Sequence, residues 1–148
     1  MSNPKDVAAG SPAATEAAPR LLADFLTIKF PERKHLLSPI ILHKSINMLY
    51  AWRGLGKTML ALNIACAVAS GKAFHKWSAS SPENVLYLDG EMAGTEMQTR
   101  LRAMLATGNY PEAEKRIFLL NPDDYGKPMP NLSTSAGQDV VLDMVDRL

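Results

Sequence analysis

Three residues in the stretch "LYAWRGLGKTMLALNIA", Leu49 to Ala65, have the types and spacing to hold a polyphosphate: Gly56, Lys57 and Thr58. A phosphate-binding loop reads G-x-x-x-x-G-K-[ST]. Its first fixed place holds Ala51 here. The chemistry is direct. A loop with little side-chain bulk lets successive backbone N–H groups point inward at a dense anion. The helix that follows adds its unpaired N-terminal donors and the positive end of its dipole. Lys57 would reach the β- and γ-phosphates as a mobile point charge. Thr58 would place its hydroxyl on Mg²⁺, which keeps several waters and borrows phosphate oxygens. The nucleotide-contacting set is thus Arg53, Gly54, Leu55, Gly56, Lys57, Thr58 and Met59, with Arg53 either touching phosphate or pointing to solvent. Ala is the smallest replacement for the first Gly, and Gly54 and Gly56 keep the rest of the loop permissive. Binding is therefore expected to survive the departure at Ala51.

Hydrolysis needs more than a cradle. A carboxylate must orient or deprotonate the attacking water, and a second acid supports Mg²⁺. The stretch "VLYLDGEM" supplies Asp89 and Glu91 at the end of an apolar run. Glu91 is the candidate base and Asp89 an indirect support for the metal. Both acids could equally cap the helix that follows, since carboxylates favour a helix N-terminus.

These residues need elements to position them. "INMLY", Ile46 to Tyr50, reads as a short buried strand that runs into the loop. "KTMLALNIACAVAS" reads as a helix, apolar on most sides and so buried, stopping at Gly71. "GKAFHKWSASSPEN" reads as a loop, "VLYLD" as a second strand, and "TEMQTRLRAMLATG" as a helix with Thr95 and Gln98 in capping-box spacing and Gly108 as its stop. "RIFLL" is a third strand, "NPDDYGKPMPNLSTSAG" a long polar loop, and "QDVVLDMVDRL" an amphipathic helix with Val141, Met144, Val145 and Leu148 on one stripe. Strand and helix in alternation predict a parallel α/β sheet. Residues 1–20, rich in Ala, Pro and Ser, read as a disordered tail, and 21–44 as a lead-in segment.

The totals fit this picture. The 148 residues suit one domain, and 47% hydrophobic with 21% charged residues is ordinary for a globular chain. A net charge of +1 gives no bulk attraction to nucleic acid or to an anionic membrane. The lone Cys66 excludes an internal disulfide and a Cys-rich metal site and reads as packing. His35, His43 and His75 show no metal spacing. Trp52 and Trp77 are expected to pack rather than to stack on bases. No apolar run reaches the ~18 residues of a membrane span, and no secretory signal opens the chain, so a cytoplasmic location is the expectation.

The run "NMLYAWRGLGKTMLALNIACAVASGKAF" followed by "NVLYLDGEM" resembles the RecA-like P-loop ATPases, and within them the bacterial AAA-type ATPases related to the hexameric plasmid helicase RepA. The similarity covers Ser38 to Leu120. In that group the loop often begins on Ala, so the resemblance implies that Ala51 is a family habit. It also implies a three-layer parallel sheet of the P-loop NTPase kind, Glu91 as the catalytic glutamate, ATP and Mg²⁺ as cofactors, and a homo-oligomeric ring working on DNA in a helicase or replication role. One feature departs from the pattern. A further strand ending in the Walker B aspartate is expected after the amphipathic helix. "DVVLD", ending at Asp143, imitates it, but Asp146, Arg147 and Leu148 continue a helical stripe. The expectation is therefore that residues 45–148 are the N-terminal part of an ATPase domain, apparently incomplete, with hydrolysis in the complete domain. Two alternatives stay open: a non-catalytic nucleotide-binding fragment, and a small-molecule P-loop kinase. Against the kinase stand the more than forty residues before the loop and the lack of an Arg-rich lid.

Overall fold

A computed structural model describes residues 19–148. The expected tail over residues 1–20 falls, apart from its last two residues, outside the described residues. The chain divides into two compact units, Met1–Glu32 and Arg33–Leu148. The described part of the first holds one short helix, α1 (Leu22–Leu26), and a tilted Phe25–Phe30 ring pair with centroids 5.4 Å apart.

The second unit opens with an antiparallel hairpin, β1 (His35–Leu37) and β2 (Ile41–Leu42). The long helix α2 (Lys57–Ser70) follows, then a second hairpin, β3 (Ala73–Phe74) and β4 (Trp77–Ser78). The two hairpins are joined by a bridge between Ser38 and Ser78. Next come β5 (Val85–Leu88), α3 (Gly94–Thr107), the single turn α4 (Ala113–Arg116) and β6 (Ile117–Leu120). The chain then forms the short α5 (Pro122–Tyr125) and α6 (Ser135–Val145). β5 and β6 pair in parallel, with Val85 opposite Ile117 and Leu88 opposite Leu120.

α2 is the centre of the packing, and its sequence says why. Leu62, Cys66 and Ala69 recur at i, i+4 and i+7 and bury against Met97 and Met104 of α3 and Ala113 of α4. Ala67 and Val68 lie on another face and bury with Leu37 of β1, against Ile41, Phe74 and Trp77 of the hairpins. A helix covered on both sides must be apolar nearly all round, which is what "LNIACAVAS" supplies. The helix ends at Gly71, which takes the left-handed conformation with φ 62°.

Several expectations need correction. A three-layer parallel sheet is not present among the described residues: three two-stranded sheets are, and only β5–β6 is parallel. Ile46–Tyr50 is not a strand. Ile46, Met48 and Tyr50 are 101, 86 and 86% exposed. A strand needs a neighbouring backbone to take its N–H and C=O groups, and no described segment lies in ladder with this one. The stretch read as a plain loop after α2 folds instead into the β3–β4 hairpin, and the polar loop after β6 holds α5. The capping box at the start of α3 does not form: the N-cap residue is Ala93, with no side-chain cap bond. The Gly94 N–H donates to Asp123 Oδ2 at 2.7 Å instead. Trp52 does not pack; it is 86% exposed. Trp77 does, half-buried with its ring centroid 5.9 Å from that of Phe74. "DVVLD" is helical as expected, inside α6.

Candidate functional site

The loop before α2 is built by two glycines. Gly54 and Gly56 adopt φ of 85° and 79°, a region that side-chain-bearing residues pay to enter. A Cβ added at either would meet nothing within 4 Å. Conformation, not crowding, therefore calls for Gly here, and the space in front of the loop is open. A shallow cavity of about 390 Å³ lies against Tyr50, Ala51 and Trp52.

Gly56 is the N-cap of α2 and has no side chain to satisfy the first-turn donors. Leu60 N–H is the first in the helix to find a carbonyl, that of Gly56. The N–H groups of Gly54, Gly56, Lys57, Thr58 and Met59 make no hydrogen bond among the described residues. No acidic residue lies in the first turn. The unspent donors, the dipole end and the lack of local carboxylate make this junction favourable to an anion. Lys57 Nζ donates to the carbonyls of Ala51 at 2.8 Å and Trp52 at 3.2 Å. The ammonium is thus folded back over the mouth of the loop. Thr58 follows it, half-buried. Arg53 and Leu55 are exposed on the loop, and Met59 is exposed on the first turn.

Asp89 and Glu91 lie on a second loop, between β5 and α3. Asp89 N–H donates to Leu120 O at 3.0 Å, so the parallel ladder runs one residue past the end of β5. Asp89 Oδ2 accepts from Met92 N–H at 2.9 Å and from Asn121 Nδ2 at 3.5 Å. Asp89 is therefore a staple of its own turn. Glu91 sits inside that turn, exposed and without a hydrogen bond among the described residues. The helix that begins at Lys57 packs against both β5 and β6. No hydrogen bond or ion pair links Glu91 to Lys57 among the described residues.

Residues beyond the expected set hold the second loop. Asn121 and Asp123, just after β6, bond across to Met92, Asp89 and Gly94. The sequence held a signal for them: a polar "NPDD" immediately after the apolar "RIFLL", at the edge where parallel strands end. Arg100 and Arg102 pair with Glu96 and Gln98 one helical turn away, on an open face of α3. Among the described residues no cluster of three or more His, Cys, Asp or Glu could hold a metal ion without help from a ligand. A nucleotide-borne Mg²⁺ does not require one, because phosphate oxygens and waters fill most of its sphere. The residues present fit that group at Thr58, beside the open anion-facing junction. No helix among the described residues is long and apolar enough to cross a membrane.

A family model described as an AAA domain matches residues 12–148, nearly the whole chain. No curated protein sequence matches the chain.

Proposed function

The chain belongs to the AAA domain family of P-loop ATPases, and from that premise we propose that it binds Mg²⁺–ATP on the Ala51–Met59 loop and hydrolyses it with Glu91 as the base. One observation supports this above the others. The loop-to-α2 junction leaves five backbone donors unspent and holds Lys57 Nζ over them on two carbonyls. On this reading Lys57 exchanges the Ala51 and Trp52 carbonyls for the β- and γ-phosphate oxygens, a stronger charge-assisted pairing. The N–H groups of Gly54, Gly56, Lys57, Thr58 and Met59 take the remaining phosphate oxygens. Thr58 Oγ holds Mg²⁺, which neutralises charge on the phosphates when bound. Glu91, exposed and uncommitted, orients the attacking water and takes its proton.

The finer reading is a RecA-like ATPase, related to the hexameric plasmid helicase RepA, that works as a ring on DNA. The "LYAWRGLGKT" and "LYLDGEM" segments support it. Single-stranded DNA binding that weakens steeply with salt, and nucleotide-dependent assembly in size-exclusion chromatography, test that branch.

A second reading, a nucleotide-binding chain without hydrolysis, is favoured by the hydrogen bonds that Asp89 Oδ2 accepts from Met92 N–H and Asn121 Nδ2, which tie this oxygen into its own turn. Calorimetric titration with ATP, with and without Mg²⁺, followed by phosphate release, separates the two. Binding together with release that is lost in Lys57→Ala and Glu91→Gln supports the ATPase. Binding with no release above that of Lys57→Ala leaves the second reading. No nucleotide uptake by the folded chain removes both.

A further inference from the structure

We infer that Asn121 is a positioning residue for Glu91, an inference that rests on the reading of Glu91 as the base. Asn121 is 8% exposed and stands one residue past β6. The register that puts Leu88 opposite Leu120 sets it beside Asp89. Its amide works in two directions. Nδ2 donates to Met92 O at 2.8 Å and, more weakly, to Asp89 Oδ2 at 3.5 Å. Oδ1 accepts from Asp123 N–H at 3.0 Å. A reversed amide would set NH₂ against an N–H and oxygen against a carbonyl, so the network fixes its orientation.

Both backbone polar groups of Met92 are then held from outside: its N–H by Asp89 and its C=O by Asn121. Asp89 is itself tied to Leu120. Glu91 lies between Asp89 and Met92, so its backbone is pinned on both sides while its side chain stays free. Gly90, which precedes it, has no side chain, and a Cβ added there would meet nothing within 4 Å, so no packing at this position supplies that restraint. A base must be held to a fraction of an ångström to act on a water. The residue that does this here needs a donor toward Met92 and an acceptor toward Asp123 on one short side chain, which an asparagine amide provides.

The competing role is purely structural: Asn121 is the N-cap of α5. Asn121→Asp separates the two, because it keeps the oxygen that caps α5 and loses the donor to Met92. Asn121→Ser keeps a short capping oxygen and cannot span to Met92, and it serves where the added carboxylate beside Asp89 prevents folding, as thermal unfolding will report. The experiment is steady-state Mg²⁺–ATP hydrolysis by the full chain, for the unsubstituted protein, Asn121→Asp, Asn121→Ser, Glu91→Gln and the Asn121→Asp/Glu91→Gln double variant. The expected result is a kcat lowered about 10–100-fold in the Asn121 variants, KM within about twofold, and a double variant no slower than Glu91→Gln alone. Unchanged kcat in folded Asn121 variants where Glu91→Gln is inactive overturns this inference alone, as does further loss in the double variant. Undiminished hydrolysis in Glu91→Gln, or none by the unsubstituted chain, overturns the reading of Glu91 and this inference with it.

Discussion

Lys57 Nζ donates to the carbonyl of Ala51 at 2.8 Å. The one position that departs from the phosphate-loop pattern therefore touches the lysine through its backbone, not through its side chain. Any residue able to take this backbone shape would offer the same carbonyl. Ala51→Gly should leave Mg²⁺–ATP affinity within about threefold, less than 1 kcal/mol. Lys57→Ala removes a charged donor worth about 1.5–3 kcal/mol and should weaken binding by about 10–100-fold. Calorimetric titration of the two variants measures both. Equal losses would show that the methyl group at 51 matters after all.

Gly54 and Gly56 act through backbone shape rather than through a contact. Both have positive φ and open space where a Cβ would go. Replacement by Ala costs about 1–2 kcal/mol of backbone strain at each site. The loop is exposed and anchors no core residue, so it can relax away from this shape without unfolding α2. Gly56→Ala should therefore weaken nucleotide binding about tenfold while leaving the thermal midpoint nearly unchanged. Gly56→Asn should be milder, since Asn enters the left-handed region more readily. Nucleotide titration beside thermal unfolding checks this, and an Asn variant as weak as Ala would point to sterics with the ligand instead.

Cys66 gives a pH prediction. It is fully buried, and burial pushes its thiol up from 9.0 to about 11. Below pH 9 both folded and unfolded chains hold the proton. Between pH 9 and 11 the unfolded chain releases it and the folded chain does not, so folding weakens as pH rises; above 11 the loss is complete. The displacement corresponds to about 2–3 kcal/mol. Tyr87 and Tyr110 are also raised, chiefly by burial, and add the same trend from about pH 10. Denaturant midpoints between pH 9 and 10 thus isolate Cys66. Their decline should flatten in Cys66→Ala, which itself starts less stable because it opens a gap beside Met104.

Glu83 titrates at the other end of the scale. Its hydrogen bond from Lys34, with help from Ser81, holds the carboxyl below the ordinary range. A lowered acid contributes stability above its unfolded value and loses it as pH falls through the folded one. The pair is partly exposed, so water screens it to about 0–1 kcal/mol. Lys34→Ala should lower the unfolding midpoint slightly at neutral pH and leave it unchanged below the carboxylate range. An equal effect at both pH values would mean that Lys34 acts through packing.

The legible parts of this sequence share one property: their cause is local. α2 spans Lys57–Ser70, the run read from its helix formers and its Gly71 stop, because those signals need no partner. β5 and β6 were visible as apolar runs closed by polar residues, and each finds the other. What escaped depended on distant groups. The cap of α3 comes from Asp123, 29 residues away, and overrides the local Thr95–Gln98 signal. The bond of Asn121 to Met92 spans the same distance, and nothing in the "LYLDGEM" stretch announces it. The β3–β4 hairpin was hidden because its turn has His75 and Lys76 instead of Gly or Asn, with His75 taking φ of 57°.

Ile46–Tyr50 is where pattern and structure part, and it gives the last prediction. A short apolar run reports a preference for burial, but a ladder forms only where another backbone lies alongside. Ile46 is fully exposed, Met48 and Tyr50 nearly so. Replacing them with Lys removes little buried surface from this chain. The triple variant Ile46→Lys, Met48→Lys, Tyr50→Lys should therefore keep its unfolding free energy within about 0.5 kcal/mol per site. Leu62→Ala, at 0% exposure in the α2 core, should lose about 2–5 kcal/mol. The same triple variant should be more soluble, because an exposed apolar segment with free backbone groups is a template for association. A large loss of stability in the triple variant would mean that residues 46–50 pair within the monomer in solution, and would restore the strand that the sequence pattern led us to expect.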